Sequence, residues 1–193
     1  MKNLLSLCII AGLLIIINQS LNAQEKKVAN KLFYIELGGP GVIMSMNFDS
    51  RFNSNDRFGV GCRLGIGYGV EQFENIVAKF LKDFFIEEIQ GNYFRNTTKR
   101  FYSIPAGVNY IIGKPNKASI FEIGAGVTFL TKKVMLFNYY DNDKSGNVIG
   151  HFTFGYRFAP VNGGISFRID FTPIIGTMGD LCPMGSVSLG YAF

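Results

Sequence analysis

An all-β chain of eight antiparallel strands, closed into a barrel with its apolar side outward, is the fold this sequence predicts. Three observations predict it. Bulky apolar residues alternate with small or polar ones in stretch after stretch, which is the two-residue period of a strand with unlike faces. Tight turn signals and longer links separate those stretches in a regular order. The 193 residues include 23 Gly, 19 Phe and 9 Tyr, with 17% charged residues, against about 25% in ordinary soluble chains.

The strands follow in order. Residues 32–38 set Phe33, Ile35 and Leu37 against Tyr34 and Glu36. Gly39-Pro40-Gly41 is a turn signal. Residues 42–52 set Met44, Met46 and Phe48 against Ser45, Asn47, Asp49 and Arg51, and 53–56 turn. Residues 58–70 alternate Val60, Cys62, Leu64 and Ile66 with Gly61, Arg63, Gly65 and Gly67. Residues 101–113 put Tyr102, Ile104, Val108 and Tyr110 on one side, and Pro115-Asn116 marks the next turn. Residues 119–130 set Phe121, Ile123, Val127 and Phe129 against Glu122, Gly124, Gly126 and Thr128. Residues 148–158 set Phe152, Phe154, Tyr156 and Phe158 against His151, Thr153, Gly155 and Arg157, and 159–162 turn. Residues 164–174 set Ile165, Phe167, Ile169 and Phe171 against Ser166, Arg168 and Asp170. Residues 184–193 set Val187, Leu189, Tyr191 and Phe193 against Ser186, Ser188, Gly190 and Ala192.

Link lengths test the count. The links after strands two, four and six are short. Those after three, five and seven are longer, at 71–100, 131–147 and 175–183. Membrane barrels place short turns at one end and long loops at the other. The first loop of the long set, Gly39 to Gly41, is unusually tight; a single bulged strand over residues 32–52 would break the parity.

Alternation alone does not say which face is inside. A soluble barrel would bury the apolar set and cover the outside with Lys and Glu. Here the apolar set is large in every strand, and eight strands enclose little space. The other set is mostly Gly, Ser and Thr, and Lys is expected only at edges, turns, loops and the N-terminal end. A lipid-facing Arg costs ~2–4 kcal/mol at the membrane midplane, and the strand charges avoid that face. The sequence therefore predicts a transmembrane barrel. Its inward set holds Glu36, Asp49, Arg51, Arg63, Glu122, Arg157, Arg168 and Asp170, four acids and four bases. A buried charge persists only when paired, so these eight predict a lumenal ion network. A side-chain plug that fills the barrel is favoured over a proton or ion path.

Residues 1–23 read as a secretory signal peptide, with Lys2 before an apolar run over residues 4–17 and Leu21-Asn22-Ala23 at the cut. That run of about 14 residues is short of the roughly 20 that a spanning helix needs. The barrel domain is then 24–193. Cys62 falls mid-strand on the apolar face and Cys182 in a distant loop, a placement that argues against a bridge.

Residues 73–90 alone carry helical spacing. Phe73, Ile76, Val77, Phe80, Leu81 and Phe84 share one face. This predicts an amphipathic helix in an extracellular loop, resting on the barrel rim, on the outer leaflet or on a partner.

The ending through Tyr191 to Phe193 resembles the terminal strand of Gram-negative outer-membrane β-barrel proteins. The resemblance implies that barrel-assembly machinery reads this strand as its signal. From about Lys31 to Phe193 the chain is similar in architecture to small Bacteroidota-type barrels of the porin-like and adhesin kinds, in which a stretch such as Gly38-Gly39-Pro40-Gly41 near the start is familiar. It implies residence in the outer membrane, contact with its lipid and lipopolysaccharide, and a monomer, but no particular activity. His151 and Thr153 lie two apart, as His and Ser do in some outer-membrane lipid A deacylases. Here Thr replaces Ser, and the register points the pair into the lumen.

Gly59, Gly61, Gly65, Gly67 and Gly69 superficially resemble nucleotide loops, but the spacing is wrong and no helix follows directly. No cofactor, metal or catalytic residue is expected. The formal charge of +5 is not gathered on one face, so no nucleic-acid partner is expected either. The sequence points to a non-enzymatic barrel with a structural, adhesive or envelope-interacting role through its outer loops. The alternatives are a carrier for a small hydrophobic solute and, behind it, a lipid A-modifying enzyme.

Overall fold

The computed structural model describes residues 28–70, 100–134, 146–176 and 181–193. Ten β segments make one sheet: β1 Lys31–Gly38, β2 Met44–Arg51, β3 Gly59–Val70, β4 Arg100–Gly113, β5 Ser119–Val134, β6 Gly146–Phe158, β7 Gly164–Phe171, β8 Ile174–Ile175, β9 Leu181–Cys182 and β10 Gly185–Ala192. The eight long strands pair antiparallel with their neighbours, and β10 returns to pair β1 from Leu32↔Ala192 to Gly38↔Ser186. The sheet is thus an eight-stranded antiparallel barrel. Closure leaves no long strand with a free edge, which is how an all-β chain satisfies its backbone groups without a partner. Phe193 extends the seam through two backbone hydrogen bonds with Lys31, of 3.0 and 2.9 Å.

Side-chain alternation sets the two faces, and the apolar set lies outside. Among the described residues thirty-two large apolar side chains stand exposed, including Phe33, Ile66, Tyr102, Phe154, Ile165 and Leu189. The exposed charges on strands are Lys31, Arg100, Lys132 and Lys133, all at strand ends. The last two enter because the fifth strand runs on to Val134, beyond the expected end at residue 130, where alternation weakens. Their register slips between Phe129 and Val134, so that extension is irregular.

Residues 32–52 form two strands, paired from Lys31↔Ser50 to Leu37↔Met44. Their connection at Gly39 to Gly41, expected as the tightest loop of the long set, does not stand out from the barrel. It is a single 3₁₀ turn folded into the barrel, with Gly39, Pro40 and Gly41 all buried. Gly38 (φ 78°) and Gly39 (φ 64°) take the left-handed backbone that a side chain would oppose. Val42 also sits at φ 77°, a costly place for a β-branched residue. Its side chain is fully buried among Phe101, Leu130, Ile149, Ile174 and Met184. The hydroxyls of Ser103 and Thr128 donate to the carbonyls of Gly41 and Pro40, both at 3.1 Å. The hairpin tip and this cluster make an apolar stopper at the long-loop end of the lumen.

The expected seventh strand, residues 164–174, is broken. Pro173 has no N–H to give the ladder, and the chain resumes at β8, which pairs β6 through Gly150↔Ile175 and His151↔Ile174. Pro183 likewise separates β9 from β10. The expected signal peptide at 1–23 and amphipathic helix at 73–90 lie outside the described residues, including the face of Phe73, Ile76, Val77, Phe80, Leu81 and Phe84.

Candidate functional site: the lumenal ion network

The strand period delivers Glu36, Asp49, Arg51, Arg63, Glu122, Arg157, Arg168 and Asp170 to the lumen, where all eight are buried. Six of them form one continuous chain of ion pairs. Asp49 on β2 pairs with Arg51 two residues on and, across the barrel, with Arg157 Nη2 at 3.0 Å. Glu122 on β5 pairs with Arg157 at 2.5 Å and with Arg168 at 3.3 Å. Arg168 also reaches Asp170, two residues on, at 2.9 Å. Arg157 and Arg168 sit directly opposite each other on β6 and β7. Two like charges so placed repel, and Glu122 bridges them.

Neutral side chains complete the network. The Asn109 amide donates to both Asp49, at 2.5 Å, and Glu122, at 2.8 Å. The guanidinium of Arg168 lies 4.6 Å over the Tyr34 ring. Glu36 is held by neutral donors: Ser186 Oγ at 3.1 Å, Ser45 Oγ at 3.4 Å and the Asn47 amide at 3.5 Å. Arg63 donates to Thr153 Oγ1 at 2.9 Å. Asn109 and Tyr34 belong to the inward parity of their strands, yet neither carries a charge to draw attention to it.

The lumenal glycines explain how so many long side chains fit. Gly61 faces Arg51, Gly65 faces Asn47 and Gly155 faces Asp170 across the ladder. A Cβ at any of the three would overlap the polar side chain opposite. The glycine alternation in 59–69 is therefore space for the network.

His151 and Thr153 both point inward and are buried. His151 Nδ1 lies 3.4 Å from Thr128 Oγ1, and Thr153 is taken by Arg63. Among the described residues no hydrogen bond joins the two, the contact through which a base activates a hydroxyl. Among the described residues no group of three or more His, Cys, Asp or Glu is placed to hold a metal ion. Tyr191 and Phe193 are exposed on the outer face, and the Phe193 ring lies 6.5 Å from that of Phe48.

Sequence reasoning missed Arg57, in the turn before β3. It is buried, and its Nη2 donates to the Ala159 carbonyl at 2.6 Å. Its position shares the odd parity of Gly59, Gly61 and Arg63, a signal that runs one step below the strand end. Arg57 adds a turn residue to the four inward acids and four inward bases of the strands. Among the described residues the buried charges are four carboxylates and five guanidinium groups.

No family model matches the chain, and no curated protein does. Among solved structures it is similar to the N-terminal β-barrel domain of Pseudomonas aeruginosa OprF, with 13% identity and a TM-score of 0.46 over 86% of this chain and all of that one. It is also similar to the outer membrane enzyme PagL, with 14% identity and a TM-score of 0.42 over 86% of this chain and 99% of that one. Likenesses this distant add nothing to the strand pairing itself, so the chain stands as an eight-stranded antiparallel barrel on its own register.

Proposed function

We propose that the chain is an integral outer-membrane barrel, closed by its own lumenal side chains, with a structural, adhesive or envelope-interacting role played through its outer loops. One observation carries the reading: the molecule is apolar outside and ionic inside. Soluble monomers rarely expose apolar patches beyond a few hundred Å², whereas the belt of exposed Phe, Ile, Leu, Val, Met and Tyr runs round every long strand. Lipid is the solvent that such a surface suits, with lipopolysaccharide against its outer half. Passage through the inner membrane on the leader, cleavage near Ala23 and assembly through the terminal strand with Tyr191 and Phe193 complete the reading, and the barrel works as a monomer. The role is not catalytic: His151 is turned away from lipid, and the acids are tied to arginines. Carriage of a hydrophobic solute would require an apolar path, and the middle of the lumen is filled with paired charge.

Membrane fractionation, with gels run on heated and unheated samples, tests the placement. The expected result is recovery with the outer membrane and a shift in mobility on heating. Recovery as a soluble periplasmic protein with no shift would refute it.

A further inference from the structure

The lumen is occupied in three layers: the apolar stopper at the long-loop end, the ion network in the middle, and a small cavity at the short-turn end. That cavity, about 20 Å³, is lined by Asn30, Lys31, Asp49, Arg51, Arg57 and Arg157, with apolar side chains between them. Three arginines and the exposed Lys31 against one carboxylate make an uneven group. Asp49 is already engaged by Arg51, Arg157 and Asn109. Among the described residues three buried donor nitrogens of this group have no acceptor, Nη1 of Arg57 and Nε of Arg51 and Arg157. A buried donor with no acceptor costs about 1–3 kcal/mol, and more when charged. The imbalance is not repaired elsewhere, because the described lumen holds five guanidinium groups and four carboxylates. Burial, and then the neighbouring Arg157 charge, hold the Arg57 pKa below the ordinary arginine value. Asp56, beside it in the turn, accepts the Phe58 N–H through Oδ1.

We propose that this cavity is a binding site for one small monovalent anion, a halide or a single carboxylate group, held by Arg57, Arg51 and Arg157. A water molecule would satisfy donors but leave the extra charge. One monovalent anion does both. The size fits an atom-sized occupant, since a single water needs about 10–15 Å³ of such space. The apolar side chains between the donors lower the local dielectric and so strengthen the attraction. Arg57 comes from a turn and its charge is offset only in part, by Asp56 beside it, so the site is separable from the ion pairs that hold the strands together.

The test uses the purified barrel in detergent micelles. Urea unfolding is followed in sodium chloride, sodium formate and sodium methanesulfonate at equal ionic strength, the last anion being too bulky for the cavity. Chloride or formate is expected to raise the unfolding midpoint above that in methanesulfonate, and ³⁵Cl line broadening is expected to saturate and to be displaced by bromide or formate. A stronger effect of chloride assigns the site to a halide, and a stronger effect of formate to a carboxylate. Arg57→Gln, which keeps a donor for the Ala159 carbonyl, should weaken binding by about tenfold or more through loss of a charge-assisted hydrogen bond. Arg57→Lys should keep the salt dependence. Equal midpoints in all three salts overturn the proposal, as does an anion effect that persists in Arg57→Gln.

Discussion

Arg168 meets partners from three strands: Glu122 on β5, Asp170 on its own β7 and the Tyr34 ring on β1. Its removal leaves Asp170 without its ion pair in a site closed to water. Arg168→Leu is therefore expected to destabilise the folded barrel by about 3–5 kcal/mol, the usual cost of breaking a buried pair by deleting one side. Urea unfolding in micelles measures it, and a silent substitution would mean that the network does not hold the barrel together. Asn109 shows why charge alone is a poor guide to such a site. Its one amide group links two carboxylates, and only its parity in β4 hints at that.

At the scale of elements, β3 and β4 pair over ten positions, from Gly59↔Ile111 to Val70↔Arg100. The ladder skips the level of Pro105, which has no N–H to offer. These strands close on their own backbone bonds and on the lumenal side chains between them. Loops on a closed ladder tolerate change better than the ladder does. Replacing residues 73–90 with a short Gly/Ser linker is expected to leave the heat-dependent gel shift intact while abolishing whatever contact the loop makes outside. Loss of folded barrel in that variant would place the apolar face of residues 73–84 in the core instead.

For the whole molecule, the stopper and the ion network block the lumen in series. The buried turn at Gly39–Gly41 closes one level, and Asp49, Glu122, Arg157 and Arg168 span the next. Ions would have to displace paired charges in a space with little water. Planar-bilayer recordings of the pure protein are expected to show no steady current. A stable and reproducible open pore would overturn the closed-lumen reading, and with it the structural role in favour of a channel.

The sequence by itself determined the strand number, the two faces and the inward charges. A period of two fixes a side chain's face once its strand is known, so Glu36, Arg63, Glu122 and Arg168 were legible one strand at a time. It did not determine what those charges do to one another. Arg157 meets Asp49 across 108 positions of chain, and that meeting exists only because β10 closes on β1. The inward fold of Gly39-Pro40-Gly41 was equally hidden. Turn residues report that a chain reverses, not on which side of the sheet it does so. Only the tertiary structure decided that, because the space filled by Val42 is made by Phe101, Leu130, Ile149, Ile174 and Met184 from distant parts of the chain. Arg57 falls between the two cases. Its parity was written in the sequence, but its burial depended on the Ala159 carbonyl arriving from the turn after β6.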